Sequence, residues 1–344
     1  MNQIKSPDQW QELYKVAAQF RDLAPWQWFT DSDIFGVKNP ETGQIGWCCI
    51  MGQLGEHRAL AVYRGTKGLR SYRNLAITTE LNPLNPEYMN IALGQDCMMV
   101  AFEDAEEVTP EQKKHLKALN MSFRGAGQWI VAQSFDPGFV PWMMDETDLP
   151  FSIQCLQQGM AVAFRYEDNP RLLDHDKLLV RTPTKQADGR LIWEDVLMDE
   201  EDLPESDEHI SLEPSPSFVK KVKAMPKLDG PLLLCNFLLM QGVQENKAER
   251  PWFPMMFIGI DPGTGMILTQ DMFPLSELSN ELERALLTLF ETFGGKPEQL
   301  GTHHPPLHEM LIIICAKLDI ELVGLSGEEP FYTEVMEAVS AFGG

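Results

Sequence analysis

The chain has 344 residues, with 28 Lys and Arg against 51 Asp and Glu, a formal charge of -23. A chain that acidic repels phosphate at long range, which sets aside general affinity for nucleic acid or for an anionic membrane. At about 100–200 residues per domain the length implies two domains, each able to bury its own core.

Ser6-Pro7-Asp8-Gln9 opens a first helix. Ser6 can cap, Pro7 suits the first helical position, and Gln9 completes a capping box worth roughly 1 kcal/mol. Trp10, Leu13, Tyr14, Ala17 and Phe20 follow at helical spacing, and Pro25 with Trp26 and Trp28 ends the run. Ile34 to Met51 reads as a hairpin turning at Asn39-Pro40-Glu41-Thr42-Gly43, where Pro presets one turn residue and Gly supplies a positive φ. A strand over Arg58 to Tyr63 leads to Arg64-Gly65-Thr66-Lys67-Gly68. This loop lacks the spacing of a P-loop or a dinucleotide fingerprint, and reads as a lead into a short helix. Cys97 to Phe102 is a buried strand, Thr109-Pro110-Glu111-Gln112 repeats the capping box, and Gln128 to Phe135 is another strand. Leu149 to Phe164 is helical, and Leu178 to Val196 is a hairpin turning at Asp188-Gly189.

Glu194 to Glu213 breaks the pattern. It holds ten acidic residues, and no Lys or Arg lies between Arg190 and Lys220. Like charges this dense resist collapse, so the stretch reads as a solvated connector. The expected domains are 1–198 and 220–344, joined by an acidic linker over 199–219.

Beyond it, Pro231 to Met240 is an apolar run suited to a strand covered on both faces. Met255 to Ile260 and Met266 to Phe273 flank Asp261-Pro262-Gly263-Thr264-Gly265, a turn like the one at Asn39. A helix starts at Ser276 and stops at Gly294-Gly295, and a strand follows it. A second helix carries Leu307, Met310, Leu311, Ile314, Cys315 and Leu318. Ile320 to Leu325 is a strand, and Phe331 to Val339 a closing helix. The class is α+β, the C-terminal domain being a mixed sheet with flanking helices.

That order resembles the ribonuclease H-like fold, and Phe257 to Thr264 resembles the first-strand motif of resolvase-type members, whose Asp binds metal. The resemblance implies a metal role for Asp261. Two-metal chemistry needs several converging carboxylates. The end of the next strand reads Leu300-Gly301-Thr302-His303-His304, and Leu232 to Met240 holds no acid either. Asn39 fills the place of Asp261 in the other hairpin, so turn chemistry alone accounts for the residue. An ion gathering Asp261, Asp271 and Glu309 would reverse that reading. A second metal candidate is His304-Pro305-Pro306-Leu307-His308-Glu309, with histidines four apart. The interposed prolines bar a regular helix through the pair, and no third ligand lies at zinc-site spacing. No nucleophile elbow or Cys/His signature occurs, so no catalytic residue and no cofactor is assigned.

The six cysteines form no C-x-x-C, the N-terminus has no apolar signal core, and no run of about 18 apolar residues exists. The expected compartment is a reducing cytoplasm, with no membrane attachment.

The chain resembles an uncharacterised bacterial family that combines an N-terminal and a C-terminal domain of unknown function, sometimes beside SEC-C metal-binding motifs. The stretches that carry the likeness are Gly46 to Tyr63 with Arg64-Gly65 and Gly68-Leu69, the run Phe135-Asp136-Pro137-Gly138 with Pro141-Trp142, Arg250 to Gly265, Gly295-Lys296-Pro297 and Leu318-Asp319-Ile320. The likeness implies no activity and transfers no catalytic residue, and no SEC-C segment is present here. The expectation is therefore a non-enzymatic interaction or accessory protein with a protein partner, its acidic surface able to mimic nucleic acid toward a basic one. The alternative is a divergent metal-dependent nuclease or phosphoester hydrolase of ribonuclease H-like type.

Overall fold

The computed structural model describes residues 4–55, 57–77, 86–173, 176–204, 212–246 and 249–325. The closing helix expected over Phe331 to Val339, and the middle of the acidic stretch at 205–211, lie outside the described residues. The first half of the chain runs α1 (Pro7–Leu23), β1 (Ile34–Lys38), β2 (Ile45–Met51), β3 (Ala59–Arg64), α2 (Gly65–Ile77), α3 (Pro86–Leu93), β4 (Cys97–Glu103), α4 (Pro110–Ala118), β5 (Trp129–Phe135), β6 (Trp142–Met143) and α5 (Leu149–Asp168). The second half runs β7 (Leu178–Lys185), β8 (Leu191–Met198), α6 (Pro216–Lys223), β9 (Lys227–Leu238), β10 (Pro254–Asp261), β11 (Met266–Pro274), α7 (Leu278–Phe293), β12 (Lys296–Thr302), α8 (Pro305–Leu318) and β13 (Glu321–Gly324). Two compact units result: 1–77, 95–136 and 141–206 in one, and 78–94, 137–140 and 207–344 in the other. Both are α+β with a mixed sheet. No helix of the described residues is long and apolar enough to cross a membrane.

The first unit is an eight-stranded sheet in the order β6-β5-β4-β3-β2-β1-β7-β8, antiparallel except where β1 meets β7. Strand alternation feeds two cores. Ile45, Trp47 and Cys49 of β2 join Tyr63, Leu69 and Cys97 on one face, while Cys48 and Ile50 join Trp10, Phe20 and Phe35 on the other. Each such Phe or Leu contributes about 1.5–3 kcal/mol by leaving water. Gly46 makes the close approach of α5 possible, since a Cβ there would lie 2.9 Å from the Phe151 ring.

Local signals at the helix starts fare differently. Thr109 and Gln112 form the expected reciprocal box, at 2.8 and 3.2 Å. Ser6 precedes α1 as expected but makes no side-chain cap bond. Its hydroxyl turns instead to Glu146, which also accepts from the Lys5 amide at 2.8 Å. A carboxylate from a distant segment thus outcompetes the local cap. Ser276 likewise does not cap: a 3-10 turn over Leu275–Glu277 intervenes, and α7 starts at Leu278.

The second unit is a five-stranded sheet in the order β11-β10-β9-β12-β13. β9, β12 and β13 are parallel, and β10 and β11 antiparallel. The central strand, β9, begins at Lys227, earlier than its apolar run suggests. Its faces are both covered, Leu232, Leu234 and Leu238 on one side and Cys235 and Phe237 on the other. Residues of α6, α7 and α8 fill the first core, while Met89 of α3 packs on the second. Gly259 lets α7 lie flat on β10, because a Cβ there would stand 2.5 Å from Leu289.

The acidic stretch is partly built into these units. Glu194 and Asp195 belong to β8. Asp199 pairs with Lys177 at 2.7 Å, Glu200 pairs with Arg73, and the Thr66 hydroxyl donates to Pro204 O at 2.7 Å. At the far end Ser215 caps α6 by accepting from Phe218 N, and its own N–H and O–H donate to Glu283.

Candidate functional site

Asp261 closes β10 and opens the turn to β11. Its Oδ1 accepts from Gly263 N at 2.9 Å, its Oδ2 accepts from the Thr264 hydroxyl at 2.8 Å, and its carbonyl accepts from Gly265 N at 2.8 Å. Asn39 makes the same frame in the first unit. Its Oδ1 accepts from Glu41 N at 2.9 Å and its carbonyl from Gly43 N at 2.9 Å. Gly43 and Gly265 hold φ of 76° and 70°, the left-handed region that favours glycine. Both carboxylate oxygens of Asp261 therefore serve their own turn.

A different set of polar groups meets where β12 leaves β9. Their pairing ends at Thr302↔Leu234, while β9 continues to Leu238 against β10. The flank β12 vacates is taken by one side chain. Asn90 of α3 donates from Nδ2 to Asn236 O (3.1 Å) and accepts at Oδ1 from Leu238 N (2.8 Å). Asn90 thus satisfies the backbone as a neighbouring strand would. The Asn236 side chain, wholly buried, meets His304 Nδ1 at 2.8 Å. With His304 in its Nε2–H tautomer the amide donates to Nδ1. Asn236 Oδ1 has no hydrogen-bond partner among the described residues.

Burial holds His304 down at about 3, with a smaller push from His303, and holds His303 at about 4. Both imidazoles are neutral at pH 7. The place is the carboxyl end of two parallel strands, where sheets of this kind form ligand crevices. What stands there is an amide and an uncharged imidazole, a pair that can orient a polar group but not neutralise a charge.

The remaining metal candidates face elsewhere. His304 is the residue before α8, and Pro305-Pro306 start the helix. His308, in its first turn, lies against β13, its ring 3.9 Å from where a Gly324 Cβ would stand. Glu309 is exposed. Asp271 of β11 accepts from Arg284 of α7 at 3.2 Å. Among the described residues no three His, Cys, Asp or Glu side chains are gathered so as to hold a metal ion.

The densest ionic centre among the described residues is one that chain order conceals. Arg64, last residue of β3, donates from Nη1 to Asp96 (2.7 Å) and Asp136 (3.0 Å). Its Nη2 donates to Asp148 (3.2 Å) and the Ser134 hydroxyl (3.3 Å). Burial works against the guanidinium charge, but the carboxylates outweigh it and the Arg64 pKa is raised. Asp148 is raised chiefly by burial, with Arg64 opposing. The run Arg64–Gly68, expected as a loop leading into a helix, is the last residue of β3 and the start of α2, and Arg64 turns its guanidinium inward to three carboxylates, an unsuitable place for phosphate. Two sequence runs singled out separately, Arg64-Gly65 and Phe135-Asp136-Pro137-Gly138, meet here. Their separation of 72 residues gave no sign of it.

Residues 10–181 match the model of a family described as Domain of unknown function (DUF7309). Residues 219–339 match a second, described as Domain of unknown function (DUF6930). No curated protein matches the sequence.

Proposed function

Since the chain belongs to the family described as Domain of unknown function (DUF7309), which supplies no activity, we propose its role from its own geometry: it is a non-enzymatic interaction or accessory protein. The observation that carries this is the commitment of the candidate catalytic groups to structure. Asp261 spends both oxygens on its turn, and His304 is held neutral against Asn236. All six cysteines are buried free thiols, which suits a reducing compartment such as the cytoplasm. Calorimetric titration of Mg2+ and Mn2+ into the protein and into Asp261→Ala tests the reading. No heat beyond dilution is expected in either. Saturable heat in the wild type that Asp261→Ala abolishes contradicts it.

The alternative, a divergent metal-dependent phosphoester hydrolase, draws on one observation. Asn236 and His304 converge at the carboxyl ends of β9 and β12, the position an active centre of a parallel sheet would take. Its weakness is chemical, because neither group carries the negative charge that would hold Mg2+.

A further inference from the structure

Strand β8 ends its sheet and, among the described residues, pairs only with β7. The phase of that ladder follows from the turn. Gln186 N donates to Arg190 O at 2.8 Å, so Thr184↔Ile192, Thr182↔Glu194 and Val180↔Val196 are the hydrogen-bonded pairs. Pro183 agrees with this phase: it stands opposite Trp193, a pair that needs no N–H from it. The peptide groups of Trp193, Asp195 and Leu197 therefore point to the open side of β8, where the Trp193 carbonyl accepts from Arg181 Nη2 at 3.2 Å and the Asp195 and Leu197 groups have no such side-chain partner among the described residues. Beside them Ile192, Val196 and Leu197 are 49%, 41% and 46% exposed.

The hairpin is guarded on one flank and open on the other. β1 stops pairing with β7 at Val37↔Arg181. The next position whose N–H would face that way is Pro183, which has none. No proline interrupts β8. An edge with peptide groups open at Asp195 and Leu197 and with exposed aliphatic side chains is a template for strand addition.

Charge selects the occupant. Asp195 is neutralised by Arg165 and Arg181, Asp199 by Lys177 and Glu200 by Arg73. Glu194 lies between Ile192 and Val196 on one face of the strand and has no ion-pair partner among the described residues. Glu201 and Asp202 follow, and the sequence adds Glu205, Asp207 and Glu208 with no Lys or Arg before Lys220. Two such edges pairing would bring together two unneutralised Glu194 side chains on chains that each carry a formal charge of -23, which disfavours a second copy as the occupant. We propose that β8 takes up an extended segment of a partner protein as a ninth strand, with Lys or Arg opposite Glu194 and apolar residues beside Ile192 and Val196. This rests on the interaction reading above and names the surface and the partner chemistry.

The test uses the full chain and two synthetic peptides, one alternating Lys and Val, the other Glu and Val. Affinity is followed by anisotropy, and amide hydrogen exchange locates the contact. The Lys peptide is expected to bind and to protect the amides of 191–198, and the Glu peptide not to bind. Two variants should each weaken the Lys peptide about tenfold, the scale of one lost charge-assisted contact. Glu194→Lys reverses the charge at an exposed position. Leu197→Pro removes an outward N–H without touching the ladder to β7. Absence of binding, binding without protection of β8, or unchanged affinity in Glu194→Lys overturns the proposal. Each of these results leaves the non-enzymatic reading standing, since that reading falls only to metal-dependent heat or turnover.

Discussion

An aspartate that does no more than fold its own turn can be exchanged for asparagine, as Asn39 shows in the equivalent place. Asp261→Asn is expected to stay within about 0.5 kcal/mol of wild type by urea unfolding. Asp261→Ala, which deletes both acceptors at a half-buried site, should cost about 1 kcal/mol. His304 makes a pH prediction. Burial lowers it from the ordinary 6.5 to about 3, so between those values the unfolded chain binds the proton and the folded one does not. Its contribution is therefore complete above pH 6.5 and is lost as pH falls toward 3. Urea midpoints from pH 7 down to pH 4 should fall more steeply for wild type than for His304→Gln. Equal slopes would mean His304 is not held neutral. The turn role of Asp261 was legible because a second copy of the turn exists in the same sequence. The role of His304 was not, because its partner Asn236 is 68 residues away inside the otherwise apolar run Pro231 to Met240.

At the scale of elements, one polar side chain does the work of backbone and another ties strand ends together. Asn90→Ala would leave Asn236 O and Leu238 N without their partner. A cost of about 1–3 kcal/mol is expected, with faster hydrogen exchange at Leu238. Arg64 ties the end of β3 to β4, β5 and the start of α5 through three carboxylates. Arg64→Ala should fall at the lower end of about 3–5 kcal/mol, because Asp136 and Asp148 keep 36% and 31% of their side chains in water. Adding Asp148→Asn should restore part of the loss; no restoration would show that packing, not charge, holds the centre. Most strands and long helices were readable from periodicity and from turns such as Asp188-Gly189. The strand β9 was readable as covered on both faces from its unbroken apolar run. α3 was missed for a physical reason: it is two turns long, and Met89 and Asn90 are too few to set a period. The helix starts at Ser6 and Ser276 misled, because distant partners and a 3-10 turn set those ends.

At the scale of the whole molecule, the second unit draws 78–94 and 137–140 from the N-terminal half of the chain. A fragment cut at 220, which sequence composition invites, would lack α3. It should therefore expose the face of Cys235, Phe237 and Ile258 and bind a hydrophobic dye that the full chain does not. Composition marks a charge change along the chain but holds no information on which unit the segment before β4 joins, since that depends on strands that come later in the sequence. The role assigned to the molecule rests on its candidate acids and histidines being structural. The most direct measurement is cleavage of fluorophore-labelled single-stranded DNA and RNA with Mn2+, by wild type and by Asp261→Asn. No cleavage above buffer by either protein is the expected result. Metal-dependent cleavage by wild type that Asp261→Asn abolishes would contradict it.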